Sequence, residues 1–190
     1  MKKIGMMGCL AFVLALQVGA QTKPAVAPKK EVYQAVATKT NDLVHTELDA
    51  SFDFSNATLI GKVKLTLHPH HYPTNSLVLD AKGMDVKEVA VVKNGKNTPV
   101  KFTNDGMTLT VALDKSYVKN ENYTIYISYV AKPNEYKGTG SAAITDAKGL
   151  YFINPMGTEK NKPTQVWTQG ETEGTSVWVP TIDKPNQKST

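Results

Sequence analysis

The residues whose types and spacing could do chemistry lie near the end of this chain, where Gln169 and Glu171 are separated by one glycine. A carboxylate held in a cleft with little water can bind an ammonium group through a charge-assisted hydrogen bond. Taken alone, a loop glutamate is more often a surface residue, and Glu171 has a second acid, Glu173, close by. The residues around Glu171 therefore decide its interpretation.

The sequence lacks the motifs that would let it catalyse a reaction alone. No His-Glu-x-x-His is present, so two zinc ligands at one helical turn and a general-base glutamate are missing. There is no Gly-x-Ser-x-Gly elbow, and the only cysteine, Cys9, lies in the apolar N-terminal run. We therefore predict no catalytic residue within these 190 residues.

Three histidines, His68, His70 and His71, surround and follow Pro69. Their spacing, interrupted by a proline, does not define a zinc site with a fourth ligand. We expect them at a solvent-exposed strand end or in a loop, and we predict no metal ligand in this chain.

Alternation of apolar and polar residues begins abruptly at Val44 and predicts a β-strand with one buried face. The residues expected on that face are Val44, Thr46, Leu48, Ala50, Phe52 and Phe54. Ser55-Asn56 forms a turn, and a second alternating run from Leu59 to Leu67 predicts a hairpin.

Short strand-like runs continue along the chain, separated by turn-forming residues. Asn94-Gly95 suits a tight hairpin turn, and Asn104-Asp105-Gly106 reverses the chain again. No stretch has the pattern of an amphipathic helix of any length. We predict an all-β fold, an antiparallel β-sandwich over residues 41–190.

The N-terminus has the pattern of an export signal. Lys2 and Lys3 precede an uncharged apolar run from Ile4 to Val18, and small residues follow up to Ala20. This predicts a signal peptide over residues 1–20, with no membrane span after its removal. Residues 21–40, rich in Lys, Ala, Pro and Thr, predict a flexible linker. We expect an exported protein, periplasmic or extracellular.

The charge of the chain argues against nucleic acid as a partner. The 22 basic residues exceed the 17 acidic ones, for a formal net charge of +5, but every basic residue is a lysine. The bidentate arginine fork that favours phosphate and guanine recognition is absent.

The residues around Glu171 resemble the segment that closes the N-terminal β domain of zinc aminopeptidases of the aminopeptidase N family, the gluzincin aminopeptidases and their leukotriene hydrolase relatives. The matching residues are Thr168, Gln169, Glu171, Trp178, Pro180, Asp183 and Pro185. From about Asp42 onward a looser strand pattern matches as well. Ser176 is a departure, because family members commonly have an arginine there. In that family the zinc-binding helix lies further along the chain, beyond the position of Thr190.

The resemblance implies that Gln169 and Glu171 bind substrate. The family glutamate holds the free amino terminus of a peptide, beside a Gly-x-Met-Glu-Asn loop of the catalytic domain, and so restricts cleavage to the first peptide bond. The resemblance also implies one zinc ion, held by a thermolysin-like catalytic domain outside these residues. The chain would then be the non-catalytic N-terminal domain of an exported zinc aminopeptidase, with Asp183 and Pro185 in structural roles.

Two alternatives remain open from the sequence alone. The first is a stand-alone secreted β-sandwich that binds peptide termini or glycans, with Tyr151, Trp167 and Trp178 as a stacking surface. The aromatic residues fit a core or a domain interface better. The second is a structural or assembly domain without a small ligand.

Overall fold

A computed structural model describes residues 38–138 and 146–190 of the chain. The expected signal peptide and residues 21–37 of the expected linker lie outside the described residues. In chain order the strands are β1 (Asn41–Asp53), β2 (Thr58–Pro69), β3 (Thr74–Asp80), β4 (Met84–Lys93), β5 (Lys96–Pro99), β6 (Phe102–Asn104), β7 (Thr108–Tyr117), β8 (Tyr123–Ala131), β9 (Leu150–Ile153) and β10 (Gln165–Thr168). A short 3-10 helix, Thr175–Val177, follows them. None of the described residues belongs to a helix long and apolar enough to cross a lipid bilayer.

The strands form three sheets in which every paired neighbour is antiparallel. The largest has the order β1-β2-β8-β4-β5, the second has the order β3-β7-β6, and β9 pairs with β10. Strand β3 follows β2 in the chain but belongs to the second sheet. The chain therefore changes sheets between them, which is how a sandwich is built from short strands.

One hydrophobic core is shared by the five-stranded and three-stranded sheets. Alternate residues of β2 and β8 point into it and are completely buried, because side chains of a strand alternate between its two faces. The core includes Leu59, Val63, Leu65 and Leu67 of β2, Ile125, Ile127 and Tyr129 of β8, Leu77 and Leu79 of β3, and Leu109 and Val111 of β7. The predicted all-β antiparallel sandwich is confirmed, and so are the turns at Asn94-Gly95 and Asn104-Asp105-Gly106.

Strand β1 differs in two respects from the sequence-based expectation. Val44 was expected on the buried face, but it lies at a register shift and is 37% exposed, while Leu43 is buried instead.

Two further residues of β1 face the core side of the sheet but are not fully covered. Leu48 is 36% exposed and Phe52 is 42% exposed, although both were expected to be buried. They lie opposite Val63 and Leu59 of β2, which are buried, so they do point toward the core side of the sheet. Strand β1 is the edge of the five-stranded sheet, and its strand contacts are chiefly with β2. The sequence pattern predicts which side a residue faces, but it does not say whether another sheet covers that side.

A glycine on β2 makes room for the largest fully buried side chain. Gly61 pairs with Tyr129 of β8, and a Cβ atom at Gly61 would lie 2.3 Å from Tyr129 Cζ. Real Cβ atoms do not approach that closely, so the tyrosine ring occupies the space above the glycine. The Tyr129 hydroxyl donates a 2.9 Å hydrogen bond to the backbone oxygen of Trp178. The Gly61–Tyr129 contact thus joins the sandwich to the C-terminal motif.

Replacing Gly61 by alanine should destabilise the domain by about 2 kcal/mol, because an added methyl group overpacks a filled core. The measurement is urea unfolding of the wild-type domain and of Gly61→Ala. The same pair is then compared in a Tyr129→Leu background. The penalty should shrink in that background, where the ring is gone. An equal penalty in both backgrounds would contradict the contact.

Candidate functional site

The two residues expected to bind substrate lie immediately after the β9–β10 hairpin. Strand β10 ends at Thr168, and the Gln169 backbone N–H continues the ladder by donating to Gly149 O at 2.9 Å. Glu171 is exposed, two residues further on. The structure therefore brings Gln169 and Glu171 together on one turn at the end of the hairpin.

This turn, residues 169–174, is closed on itself. The Gly174 N–H donates to Gly170 O at 2.9 Å, which closes a five-residue turn around Glu171. The Gln169 hydrogen bond to Gly149 fixes the start of the turn. Its end leads directly into the 3-10 helix at Thr175. Glu171 is thus presented at the tip of a turn that is fixed at both ends; we call residues 169–174 the anchor turn.

Glycines allow the anchor turn to lie against the hairpin backbone. Gly149 has φ +69°, and a Cβ atom there would lie 1.9 Å from Gly174 O. A Cβ atom at Gly174 would lie 2.6 Å from Gln169 O. Only glycine fits both positions, because the two backbone segments meet without room for a side chain.

The segment after the anchor turn is anchored in the core. Val177, Val179, Pro180 and Thr181 are buried. Thr181 forms an antiparallel bridge with Asp80 at the end of β3, with backbone hydrogen bonds of 2.8 and 3.0 Å. Burial raises the pKa of the Tyr129 hydroxyl, which keeps it protonated as the donor to Trp178. The motif is therefore held by both sheets of the sandwich.

Asp183 has the structural role expected of it, since its Oδ2 accepts the backbone N–H of Ser176 at 2.8 Å. Ser176 is the residue at which the sequence departs from the motif that it resembles. Its hydroxyl is buried and donates to Glu173 O at 3.0 Å. The neutral side chain at this position is accommodated by short-range hydrogen bonds to the anchor turn.

Sequence reasoning missed the charged group behind the anchor turn. Glu173 accepts hydrogen bonds from Lys184 Nζ at 3.1 Å and Lys82 Nζ at 3.4 Å. Lys184 lies within the C-terminal motif, so its positive charge and its short distance along the chain from Glu173 were a weak clue to this ion pair. Lys82 is 91 residues from Glu173 along the chain, and no local pattern connects them.

The three aromatic residues proposed as a stacking surface separate into two groups. Tyr151 and Trp167 face each other across β9 and β10 with ring centroids 4.4 Å apart and planes 12° apart. Trp167 is 46% exposed, and the Tyr151 hydroxyl donates to the Asp146 backbone oxygen. Trp178 instead packs against the hydrophobic core. The Tyr151–Trp167 pair lies on the β9–β10 hairpin, whose second strand leads into the anchor turn.

His68 and His70 lie where β1 begins and β2 ends, beside Asp42. His70 Nδ1 is 2.6 Å from Asp42 Oδ2, and His68 Nδ1 is 3.7 Å from the same oxygen. Partial burial raises the pKa of Asp42, but hydrogen bonds from Lys39 and His70 outweigh it, and the net pKa lies below its ordinary value. Within residues 38–138 and 146–190, no group of three or more His, Cys, Asp or Glu side chains could hold a metal ion.

Comparison with known proteins identifies what this geometry is similar to. A model of the peptidase M1 N-terminal domain matches residues 33–190. This range contains both sheets of the sandwich, the hairpin and the anchor turn.

Solved structures with a similar fold include M1 zinc metallopeptidases and a leukotriene hydrolase. Yeast LTA4 hydrolase in complex with bestatin is 22% identical with a TM-score of 0.58, over 88% of this chain and 24% of that one. An M1 zinc metallopeptidase from Deinococcus radiodurans is 22% identical with a TM-score of 0.62, over 80% of this chain and 31% of that one. A mutant of a Deinococcus radiodurans M1 zinc metallopeptidase, bound to a Tyr-Ser-Ala substrate, is 19% identical with a TM-score of 0.64, over 84% and 33%. The chain therefore spans about a quarter to a third of the length of these structures.

Proposed function

The chain belongs to the peptidase M1 N-terminal domain family, and from this premise we propose that it is the amine-anchoring domain of an exported zinc aminopeptidase. In this proposal Glu171 binds the free α-ammonium group of a peptide, and Gln169 faces the first substrate residue. The enzyme removes N-terminal residues from peptides. The family membership does not favour the stand-alone binding module.

One observation supports the assignment of Glu171 above all others. Glu171 is exposed at the tip of the anchor turn, which is closed by the 2.9 Å bond from Gly174 to Gly170 O. The start of the turn is tied to Gly149 O at 2.9 Å, and its end to Val177 N–H at 3.2 Å. A binding group is useful in catalysis only when its position is held before the substrate arrives. An exposed loop glutamate on a mobile segment would not meet this requirement.

The chemistry of an ammonium–carboxylate pair explains how such a residue selects its substrate. The pair forms a charge-assisted hydrogen bond, which gains strength when a second domain covers it and excludes water. Because the carboxylate is fixed, only the peptide bond nearest the amino terminus lies at the right distance for cleavage. Glu171 thereby acts as a ruler as well as an anchor.

The remaining parts of the proposed enzyme lie outside these residues. Among the described residues no cluster of three or more His, Cys, Asp or Glu side chains could hold a metal ion, and the sequence has no His-Glu-x-x-His. The zinc ion would be held by a catalytic domain, as the names of the metallopeptidases with this fold suggest. When bound, a catalytic zinc ion polarises a carbonyl group and activates water. The contribution of this chain is binding and orientation.

The proposal is tested by kinetics of the full-length protein on a peptide and its Nα-acetylated form. Hydrolysis of the free-amine peptide only is expected, with release of the first residue. Equal hydrolysis of both peptides, or cleavage inside the peptide, would contradict an amine anchor. Intact mass of the endogenous protein gives a second check, because the proposed enzyme must be several times heavier than the 20.7 kDa of this chain.

We further propose that the protein is exported with removal of residues 1–20. The support is the sequence alone: two lysines, an uncharged apolar run and small residues up to Ala20. N-terminal sequencing of the protein from its native cells should read from Gln21. A mature protein that retains Met1 and stays in the cytoplasm would contradict export.

A further inference from the structure

We propose that four charged side chains behind the anchor turn, Asp80, Lys82, Glu173 and Lys184, form a clamp that positions Glu171 for substrate binding. Within this clamp Glu173 is a positioning residue that does not itself touch substrate. The inference rests on the proposed function of Glu171. It adds the device that holds Glu171 in place and names the residues whose charge it requires.

The clamp grips both the side chain and the backbone of Glu173. Lys184 Nζ lies 3.1 Å from Glu173 Oε1, and Lys82 Nζ lies 3.4 Å from Oε2. Lys82 Nζ also donates to the Glu173 backbone oxygen at 3.0 Å. Since the backbone of Glu173 is two residues from Glu171, fixing it fixes the direction in which the chain leaves the tip of the turn.

The clamp is attached to the rigid part of the fold. Lys184 Nζ is 3.7 Å from Asp80 Oδ1, and Asp80 Oδ2 accepts the Asp183 backbone N–H at 2.9 Å. The Lys82 backbone N–H donates to Ser176 O at 2.8 Å. Asp80 ends strand β3, so the clamp transmits the position of the three-stranded sheet to the anchor turn.

Burial of Lys82 makes its contacts with Glu173 less screened than ordinary surface ion pairs. The Lys82 side chain is 14% exposed, against 38% for Glu173. Exposed pairs contribute little because water and salt screen them, whereas desolvated pairs are screened less. A lysine that is mostly buried loses much of its freedom to find other partners.

Glu173 and Lys184 keep their charges over a wider pH range than the free side chains do. Partial burial raises the pKa of Glu173, but Lys184 and Lys82 outweigh it, so the pKa lies below its ordinary value of 4.5. Partial burial lowers the pKa of Lys184, but Glu173, Asp80 and Asp183 outweigh it, so the pKa lies above 10.5. The contribution of Glu173 is present above pH 4.5 and lost as pH falls through its folded pKa. That of Lys184 is present below pH 10.5 and lost as pH rises through its folded pKa.

The cavity beside the clamp, about 520 Å³, does not offer a separate ligand site. Its charged lining residues are Lys82, Glu173, Asp183 and Lys184. Lys82, Glu173 and Lys184 already contact one another. Asp183 accepts the backbone N–H of Ser176, just after the anchor turn, and its own backbone N–H donates to Asp80. The lysines are therefore engaged in holding the turn, which supports a positioning role over an anion-binding one.

The test is Glu173→Gln in the full-length protein, with two readouts. Amide hydrogen exchange of residues 170–174 should accelerate, because the turn opens more often without the clamp. The KM for free-amine peptides should rise about fivefold with kcat nearly unchanged, since a partly populated competent state weakens apparent affinity in proportion. Lys184→Met should change the exchange rate and the KM in the same way. Lys184→Arg, which keeps the positive charge, should leave both near their wild-type values. Glu47→Gln, which removes an exposed pair with Lys64 on β2, is the matched control.

The outcomes separate this inference from the proposed function. If Glu171→Gln weakens hydrolysis but Glu173→Gln changes neither exchange nor KM, the clamp is overturned and the amine anchor stands. If Glu173→Gln accelerates exchange while Glu171→Gln has no effect on kinetics, the clamp holds the turn but the amine anchor fails. If Glu173→Gln lowers kcat with no change in KM, a positioning role in binding is overturned.

Discussion

Replacing Glu171 by glutamine in the full-length protein should lower kcat/KM for free-amine peptides about 100-fold. Removing one partner of a covered, hydrogen-bonded charge pair costs roughly 2 to 5 kcal/mol, and about 1.4 kcal/mol corresponds to a factor of ten. Glutamine has nearly the same shape as glutamate, so the change tests the charge and leaves the anchor turn intact. The measurement is steady-state kinetics with a short peptide that has a free amino terminus.

The matched control for this change is Glu159→Gln. Glu159 also lies in the β9–β10 hairpin region and makes an exposed ion pair, with Lys162 at 2.8 Å. Exposed pairs of this kind contribute little, so kcat/KM should stay within about twofold of the wild-type value. A comparable loss in both variants would mean that a charge change anywhere near the hairpin disturbs the enzyme, and Glu171 would lose its special role.

Replacing Gly149 by alanine should have the largest effect on the fold of the site. The new Cβ atom would lie 1.9 Å from Gly174 O, and the backbone at φ +69° is unfavourable for alanine. The anchor turn cannot stay where it is. We expect a loss of about 3 kcal/mol in the free energy of unfolding. For a domain of this size that corresponds to a fall in Tm of about 6 to 12 °C.

Gly95→Ala separates the two causes of this effect. Gly95 has φ +74° in the β4–β5 turn, but no atom lies within 4 Å of a Cβ placed there. It should therefore show only the backbone cost of about 1 kcal/mol. A Gly149→Ala variant as stable as Gly95→Ala would contradict the close approach of the anchor turn to the hairpin. Thermal unfolding followed by circular dichroism measures both.

The local part of this fold could be predicted because its signals are local. Alternation with a period of two marks the faces of β2 and β8, and Asn94-Gly95 marks a tight turn whose residues have positive φ. These patterns depend on neighbours within a few residues. They predicted an antiparallel sandwich without indicating that β3 crosses to the second sheet.

The long-range part could not be predicted from the same patterns. Nothing near Gly61 indicates that Tyr129 will lie over it, and nothing near Lys82 indicates that Glu173 will be its partner. The exposure of Leu48 and Phe52 depends on how far the second sheet extends over β1. Contacts of this kind are fixed by the packing of whole elements, which a single sequence does not reveal locally.

In the candidate site, too, the local motif could be predicted and the long-range contacts could not. The motif of residues 168–185 predicted Gln169 and Glu171 as binding residues, and their role remains a prediction. The structure adds the closed anchor turn, the glycine contacts behind it and the group around Glu173. In the sequence Glu173 is only a second acid beside Glu171, because its partner Lys82 lies in the loop after β3 and Lys184 lies near the end of the motif.

The most direct test of the amine anchor asks whether Glu171 and the substrate amine act together. We would measure kcat/KM of the full-length wild type and Glu171→Gln on a peptide and on its des-amino analogue. If Glu171 contacts the amine, the substitution should lower kcat/KM about 100-fold on the peptide and hardly at all on the des-amino analogue. The reason is that the energies of interacting partners are not additive. The same loss on both substrates would show that Glu171 does not contact the amine, and the central claim would be wrong.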